Sequence, residues 1–348
     1  MLSNLPNVCA IVLNYNGYQF VSSCLDSLSS QSLPGLKIIV VDNGSTDGSI
    51  KLIRENHPQA QVIANAKNLG AAEGYNVGIR YALDINTEYI LLLNNDTVLE
   101  PEAIERMIAP TRLDSSIGIV GPLIRDLEKK NQIVELGLDC DVLGYPVNNT
   151  SARIRDKAPH PFYVAACAML IRANVFATIG LLDSSYFIFV EDLDFCWRAR
   201  LAGFGICAVP DAVVYHKSGG TVQGGAVKGD SHVTSTLRLY LSQRNTMKTL
   251  LKNYSGWALT FILPFSLLSG LMTFVIGASL LGQTEVTRSY LRAVFSNVRD
   301  MPLTLNSRIL TQKLRTVSDR EILTRMSKGS SIVRSYLEIG KLVVQKTA

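Results

Sequence analysis

The sequence predicts an α/β protein built around a doubly wound, mostly parallel β-sheet flanked by helices. Short apolar runs alternate with amphipathic segments through the first third of the chain, with roughly thirty residues in each strand-and-helix repeat. The apolar runs are continuous and lack polar–apolar alternation, which is typical of strands buried on both faces of a sheet. Together these two observations favour parallel strands joined by helical crossovers.

The elements follow in chain order. Strands are predicted at residues 8–13, 36–41, 61–64 and 89–93, and helices at 20–28, 49–55 and 72–83, with another helix starting near Pro101. Further strands are predicted at 117–124, 162–171, 186–190 and 208–215, and an amphipathic helix runs from Glu191 to near Gly203. Ser218–Gly229 contains five glycines and is predicted to be a mobile loop that can close over a ligand.

The 348-residue chain has two regions of opposite charge. Residues 238–348 carry 16 Lys and Arg against five Asp and Glu, whereas the remainder carries 18 against 24. We therefore expect a catalytic domain over 1–230, with halves of about 1–115 and 116–230, and a helical C-terminal region over 231–348. Basic charge beside apolar sequence suits an anionic membrane surface better than a nucleic-acid groove, so no nucleic-acid partner is expected.

Residues 257–281 form an uncharged span that is long enough to cross a bilayer, but Pro264, Gly270 and Gly277 interrupt it. We favour an interfacial or re-entrant helix pair over a clean crossing. The tail after residue 288 predicts amphipathic helices on a membrane surface, with packing on the catalytic domain as the alternative. No signal peptide is recognised, and the six scattered cysteines have no metal-binding spacing. The protein is therefore expected at the cytoplasmic face of the cell membrane, peripheral or monotopic.

Acidic residues and a histidine follow several predicted strands. Asp42 ends the second strand, Asp96 follows the fourth, and Glu191, Asp192 and His216 follow later ones. Strand carboxyl ends meet at one edge of an open α/β sheet. Asp96 and His216 could bind a divalent cation there, leaving another carboxylate free for proton transfer. Taken alone, the Asn94–Thr97 tetrad fits a polar turn with Asp96 as a helix cap equally well.

Several motifs occur in the order found in a known enzyme family. They are Leu13-Asn14-Tyr15-Asn16, residues 40–49 (VVDNGSTDGS), Asn68-Leu69-Gly70 with Gly74 and Asn76, residues 93–97 (LNNDT), residues 191–198 (EDLDFCWR) and Gln243-Arg244-Asn245. Over about residues 7–250 the chain resembles the inverting family 2 glycosyltransferases of the GT-A fold, particularly the rhamnosyltransferase-like branch. The resemblance implies a Rossmann-like catalytic domain that uses a nucleotide-sugar donor.

The resemblance also implies roles for individual residues. Asp192 matches the catalytic base, with Glu191 as the close alternative. Asp96 and His216 match metal ligands for Mg²⁺ or Mn²⁺. The residues matched to nucleotide-sugar binding are Asn14, Tyr15, Asp42, Asn68, Gly70, Asn94, Asn95 and Arg244. Asn94 departs from the family pattern, because it replaces the first acid of the DxD motif and so removes one charge.

Structural alternatives remain for several of these residues. The glycines at 70 and 74 also suit helix packing, His216 a loop-edge hydrogen bond, and Arg244 a solvated helix face. Asp194 and Arg198 are four residues apart, which predicts a supporting ion pair.

The function implied is transfer of a single sugar with inversion in cell-surface polysaccharide assembly. The best donor is dTDP-rhamnose, with a UDP-sugar as the alternative, and the acceptor is a saccharide, lipid-linked because of the basic, apolar C-terminal region. A processive synthase is disfavoured, since no Gln-x-x-Arg-Trp signature is present. A sugar nucleotidyltransferase would need a Gly-rich phosphate loop near the N-terminus. A catalytically inactive membrane scaffold is the remaining alternative.

Overall fold

The computed structural model describes residues 6–148, 159–217, 226–228, 231–279, 284–328 and 341–345. The chain divides into two compact units. The first comprises Met1–Leu138, Asn148–Phe187 and Glu191–Thr221, and the second comprises Asp139–Val147, Ile188–Val190 and Val222–Ala348. Asp139–Val147 and Ile188–Val190 therefore belong to the second unit, although the predicted domain boundary at residue 230 places them in the catalytic domain.

The first unit is built on a nine-stranded sheet. Its strands are β1 (Val8–Asn14), β2 (Lys37–Asp42), β3 (Gln61–Ala64), β4 (Tyr89–Asn94), β5 (Thr97–Leu99), β6 (Ile117–Asp126), β7 (Ile133–Glu135), β8 (Ala168–Arg172) and β9 (Gly205–His216). The order across the sheet is β3-β2-β1-β4-β8-β6-β9-β5, and β7 pairs with β6. The first four strands run parallel, as predicted, and β6 runs parallel to β9. β8 is antiparallel to both of its neighbours, and β5 is antiparallel to β9.

Among the described residues, six α-helices accompany this sheet. They are α1 (Val21–Ser29), α2 (Ser49–Asn56), α3 (Gly70–Asp84), α4 (Ala103–Leu113), α5 (Ala173–Ile179) and α6 (Glu191–Leu201). The α/β alternation of the first third is thus confirmed.

The central strands form because their side chains are apolar on both faces. Residues 8–12 of β1 and 89–93 of β4 are fully or almost fully buried. Leu25 of α1 and Met107 of α4 pack into the same core cluster. Burial of each such side chain contributes about 1.5–3 kcal/mol. The sheet is therefore a rigid base for the polar residues that follow its strands.

The strand predicted over Tyr186–Val190 is wrong. Ser184–Tyr186 is a 3₁₀ helix, and Phe187, Phe189 and Val190 have φ angles of 64°, 69° and 69°. Left-handed backbone cannot continue a β-ladder. The apolar run also overpredicts burial, because Tyr186 is buried whereas Phe187 is 36% exposed and residues 188–190 are half-buried.

The second unit is mainly helical. Its helices are α7 (Thr236–Asn253), α8 (Gly256–Ser279), α9 (Thr284–Arg299), α10 (Met301–Lys313) and α11 (Asp319–Thr324). A three-stranded sheet joins β10 (Ala226–Lys228), β11 (Ser231–Ser235) and β12 (Lys341–Gln345), and Asp139–Cys140 pairs with Pro146–Val147. The helix predicted over 232–253 therefore begins after β11.

The apolar span is a single helix, and the predicted helix pair is wrong. α8 runs continuously through Pro264, although an interior proline removes one intrahelical hydrogen bond and clashes with the preceding turn. In the described part of the chain, no helix combines the length and the apolar character that a bilayer crossing requires. Most of the predicted loop at 218–229 and much of the tail after residue 328 lie outside the described residues. All six cysteines are buried free thiols, as their sequence context predicts.

Candidate active site

The Asn94–Thr97 tetrad is a tight connection between β4 and β5 at the carboxyl end of the parallel strands. The Asn94 N–H donates to the Cys167 carbonyl at 3.0 Å, and the Lys217 N–H donates to the Asp96 carbonyl at 3.1 Å. The Thr97 hydroxyl donates to the Asn94 carbonyl at 2.8 Å. Backbone bonds from two neighbouring strands thus fix the tetrad, so its side chains are held in place before any ligand binds.

Asp96 and His216 lie together, as predicted. β9 and β5 pair so that His216 stands opposite Thr97, and His216 Nε2 lies 3.2 Å from Asp96 Oδ1. Asp96 is only 5% exposed. Burial lowers the pKa of His216, but the neighbouring Cys167 and Asp96 groups outweigh it and raise that pKa. Without a metal ion, His216 therefore carries a proton beside Asp96, and a divalent cation would bind here by displacing that proton.

A divalent cation fits this pair. Apart from the ion pair, the buried Asp96 Oδ1 accepts no hydrogen bond from the described residues. A carboxylate oxygen is a suitable ligand for Mg²⁺ or Mn²⁺, and an imidazole nitrogen suits the transition metal Mn²⁺ better than the harder Mg²⁺. Within the described ranges no third His, Cys, Asp or Glu completes a ligand cluster. Such an ion would need further ligands from the substrate and from water, as is usual for Mg²⁺ at phosphate sites.

Tyr75 orients Asn94, and the sequence did not single it out. The Tyr75 hydroxyl lies 2.9 Å from Asn94 Oδ1 and 3.2 Å from the Ala166 carbonyl oxygen, so its one proton can be donated to either. Asn94 Nδ2 then lies 3.4 Å from His216 Nε2. Tyr75 is 1% exposed on α3. Its apolar helical surroundings hide the polar role, because a buried aromatic residue ordinarily predicts core packing.

The peptide group of Ala166 connects Tyr75 to Asp192, the predicted base. The Ala166 N–H donates to Asp192 Oδ2 at 3.4 Å, while its carbonyl oxygen faces Tyr75. Asp192 Oδ1 accepts from the Leu193 N–H at 2.8 Å, at the first turn of α6. Asp192 therefore belongs to the same site as Asn94 and His216, as the sequence predicts.

Glu191 and Asp192 are neighbouring carboxyl groups, of which Glu191 is buried and Asp192 is partly exposed. Burial, followed by the negative charge of Asp192, raises the pKa of Glu191 to about 8. Burial also raises the pKa of Asp192, although hydrogen bonds from the backbone N–H groups of Leu193 and Ala166 oppose it. The buried Glu191 Oε2 has no hydrogen-bond partner among the described residues. At neutral pH Glu191 keeps its proton, and the partly exposed Asp192 is the better proton acceptor.

Asn14, Asp42 and Asn95 form a buried network that holds two loops together. Asn14 Nδ2 donates to Asp42 Oδ1 at 2.8 Å and to Ser49 Oγ at 2.9 Å, and Asn95 Nδ2 donates to Asn14 Oδ1 at 2.8 Å. Asp42 Oδ2 accepts from the Gly44 and Ser45 N–H groups. Asp42 and Asn14 are 0% exposed. In this conformation the buried Asp42 stabilises the loop, and its role in nucleotide-sugar binding stays a prediction.

Asn68 and Gly70 form the start of α3. Asn68 Oδ1 accepts from the Gly70 N–H at 2.8 Å and from Asn43 Nδ2 at 3.0 Å. Gly70 has a φ of +82°, and a Cβ there would lie 2.4 Å from the Phe187 carbonyl oxygen. The close approach at Gly70 is therefore to the Phe187 backbone. At Gly74 a Cβ would meet Leu13 Cδ1 at 2.6 Å, so Gly74 serves the alternative role of helix packing.

Tyr15 and Arg244 are the two predicted site residues that remain. Tyr15 follows Asn14 and is half-buried. Arg244 belongs to the second unit, on α7, where its Nε donates to Asn245 Oδ1 at 2.9 Å and its guanidinium lies 5.6 Å from the Tyr240 ring centroid. Its role toward a diphosphate stays a prediction.

Comparisons with known proteins identify the family of the chain. Residues 9–180 match the family model described as "Glycosyl transferase family 2". An N-acetylglucosaminyl-diphospho-decaprenol L-rhamnosyltransferase from Mycobacterium tuberculosis is 24% identical over 271 residues, which cover 71% of this chain and 85% of that protein. A dTDP-rhamnosyl transferase, RfbF, from Shigella flexneri is 23% identical over 296 residues, 84% of this chain and 96% of that protein.

A solved structure shares the fold. The crystal structure of GalNAc-T7 with UDP, GalNAc and Mn²⁺ has a TM-score of 0.60 and 13% sequence identity. The match covers 86% of this chain and 58% of that one.

Proposed function

The chain belongs to glycosyl transferase family 2, and we propose that it transfers one rhamnose from dTDP-rhamnose to a lipid-linked saccharide with inversion at the anomeric carbon. The observation that carries this proposal is the contact between Asp96 and His216, joined through Asn94, Tyr75 and Ala166 to Asp192. A cation site and a proton acceptor are what transfer from a sugar diphosphate requires. The names of two relatives, both rhamnosyltransferases, support rhamnose as the sugar.

Each residue has a part in this reaction. Asp192 takes the proton of the acceptor hydroxyl as that oxygen bonds to the anomeric carbon and the bond to the donor diphosphate breaks. Glu191, kept neutral by its raised pKa, leaves a single negative charge on the pair. Asp96 and His216 would hold a Mg²⁺ or Mn²⁺ ion, which supplies positive charge for the departing diphosphate. The Asn14–Asp42–Asn95 network keeps the surrounding loops in place.

Release of nucleoside diphosphate tests the activity and the choice of donor. The purified protein is incubated with Mg²⁺ or Mn²⁺ and, separately, dTDP-rhamnose, UDP-sugars and GDP-sugars. The proposal predicts release of dTDP, with the other diphosphates much slower. Release of UDP alone would favour the alternative donor. No release from any donor would favour the inactive scaffold.

The second unit carries the proposed membrane contact. Twenty large apolar side chains are exposed in the described part of the chain, and fourteen of them lie on α8, α9 and α10. On α8 they include Trp257, Phe261 and Phe265, which are 62–79% exposed and spaced four residues apart. An exposed apolar set of this size suits an interfacial rather than an aqueous environment. Exposed arginines accompany it on α9, namely Arg288, Arg292 and Arg299. We propose that these helices lie on the cytoplasmic membrane surface, where a lipid-linked acceptor would be found.

A further inference from the structure

A strained backbone segment lies directly before the proposed base. Among the described residues, five non-glycine residues have positive φ angles, and three of them are Phe187, Phe189 and Val190. The other two are asparagines, which tolerate this conformation. A β-branched valine at φ 69° is unfavourable on its own and persists only where surrounding contacts enforce it. Contacts with other residues, and not the backbone preference of residues 187–190, therefore hold this segment in its conformation.

Asn245 supplies such contacts within the second unit. Its Nδ2 donates to the Ile188 carbonyl at 3.0 Å and to the Phe189 carbonyl at 2.7 Å. Asn245 is 0% exposed, and its Oδ1 accepts from Arg244 Nε at 2.9 Å, which fixes the orientation of the amide. Both amide protons are thus used on consecutive carbonyls of the strained segment.

Further contacts constrain the same segment. Within the second unit, the Arg238 guanidinium lies 4.7 Å from the Phe189 ring centroid. Within the first unit, the Phe187 carbonyl accepts from the Ala72 N–H at 3.2 Å. Residues 188 and 189 lie between Phe187 and Val190, and Val190 is followed at once by Glu191, the first residue of α6.

We propose that Asn245 is a positioning residue that holds residues 188–190 in their strained conformation and thereby sets where α6 begins and where Asp192 points. This inference rests on the proposed role of Asp192. It gives a role to the Gln243-Arg244-Asn245 motif, for which the sequence suggested only a cation near the diphosphate. Without the Asn245 amide, residues 187–190 relax toward ordinary backbone angles, and the start of α6 shifts with them through the chain.

Asn297 provides a matched control. It is also a buried asparagine of the second unit, and its Nδ2 donates to the carbonyls of Arg244 and Ala293 at 3.0 and 2.9 Å. Asn245→Ala and Asn297→Ala each remove three hydrogen bonds, the third being the one from Arg244 Nε to Asn245 and the one from Asn297 to Met247 Sδ. Only the first variant removes contacts to the strained segment. Both variants are prepared in the full chain, and thermal unfolding confirms that each is folded.

Two measurements test the proposal. Asn245→Ala is expected to lower kcat roughly ten- to a hundredfold, with the affinity for nucleoside diphosphate and the donor KM kept within about twofold, because a small misplacement of a reacting group is costly to turnover. Asn297→Ala is expected to keep kcat. Hydrogen–deuterium exchange of peptides spanning residues 187–195 should speed up in Asn245→Ala and stay unchanged in Asn297→Ala.

The exchange measurement needs no activity, so it separates this inference from the proposed function. Faster exchange at 187–195 in a protein that turns over no donor would leave the positioning role standing and refute the transferase. Two results would overturn the positioning role. One is equal hydrogen–deuterium exchange at residues 187–195 in the two variants, and the other is a loss of kcat in each variant that is proportional to its loss of thermal stability.

Discussion

The position of Asn94 in the site could be recognised from the sequence, but the contacts of its side chain could not. Its place at the end of a buried strand predicted a site, and the structure brings Asp96 and His216 together there. Its side chain, however, is bound on both sides, with Tyr75 at Oδ1 and His216 near Nδ2. Tyr75 lies 19 residues earlier on another element, so no local pattern could reveal the contact. Asp42 is a second example, since neither its burial nor its three hydrogen-bond donors can be read from a sequence.

Replacing Asn94 with Asp should strengthen metal binding. The change restores a carboxylate beside Asp96 and His216, and ligand charge is a main determinant of divalent-cation affinity. We expect Mn²⁺ to bind about tenfold more tightly in the presence of dTDP, as measured by isothermal titration calorimetry. Asn86→Asp adds the same charge at an exposed position and should leave the affinity unchanged. Equal or weaker binding by Asn94→Asp would mean that Asn94 does not face the ion.

Glu191 predicts a pH dependence of stability. Its pKa rises from an ordinary 4.5 to about 8 in the folded protein, so the folded state binds this proton more tightly than the unfolded state. This contribution is complete below the unfolded pKa and is lost as pH rises through about 8. Glu191→Gln cannot ionise, so its Tm should fall less than that of the wild type between about pH 5 and pH 9. Differential scanning calorimetry checks this, with the exposed Glu88→Gln as control. Parallel Tm curves for wild type and Glu191→Gln would contradict the raised pKa.

At the scale of elements, periodicity predicted the first four strands to within a residue or two, because those strands are continuous apolar runs. It failed at residues 186–190, where an equally apolar run is held in left-handed backbone by contacts distant in sequence. α6 is the other instructive element. Its four-residue spacing predicted the Asp194–Arg198 ion pair correctly, but the pair is 0% and 6% exposed, not solvated.

Burial makes that ion pair important for stability. Arg198 also donates to the Ile179 and Leu181 carbonyls at 2.8 and 2.9 Å, and Asp194 accepts from the Tyr186 hydroxyl. Arg198→Ala should lower the free energy of unfolding by about 3–5 kcal/mol, because it leaves Asp194 buried without its cation. Lys51→Ala breaks an exposed pair on α2 and should cost at most about 1 kcal/mol. Urea denaturation measures both values. Similar losses for the two variants would show that the buried pair is no stronger than a surface one.

At the scale of the whole molecule, charge asymmetry predicted a catalytic and a basic region, and the chain does form two compact units. Composition could not predict that residues 139–147 and 188–190 join the second unit, because that assignment depends on tertiary contacts. The apolar content of residues 257–281 was clear in the sequence. The sequence did not show that this span forms one helix with exposed aromatic side chains, because its proline and glycine residues predicted a helix break.

The exposed apolar set predicts membrane binding. Phe261→Ser combined with Phe265→Ser should lower partitioning onto vesicles of phosphatidylcholine and phosphatidylglycerol by roughly tenfold or more, because each phenylalanine removed from the bilayer loses about 1.5–3 kcal/mol of transfer free energy. Leu113→Ser changes a side chain that is 90% exposed in the first unit and should have no effect. Vesicle flotation measures the bound fraction. Unchanged partitioning of the double variant would mean that these side chains contact protein instead.

The central claim is that Asp192 accepts the proton of the acceptor hydroxyl in sugar transfer. The most direct test compares wild type and Asp192→Asn in transfer from dTDP-rhamnose to a lipid-diphosphate saccharide, with dTDP-rhamnose affinity measured in parallel. The account predicts a kcat loss of about 10²- to 10⁴-fold with donor affinity preserved, and an inverted anomeric configuration in the wild-type product. Equal turnover by Asp192→Asn, or a product that retains the donor configuration, would contradict it.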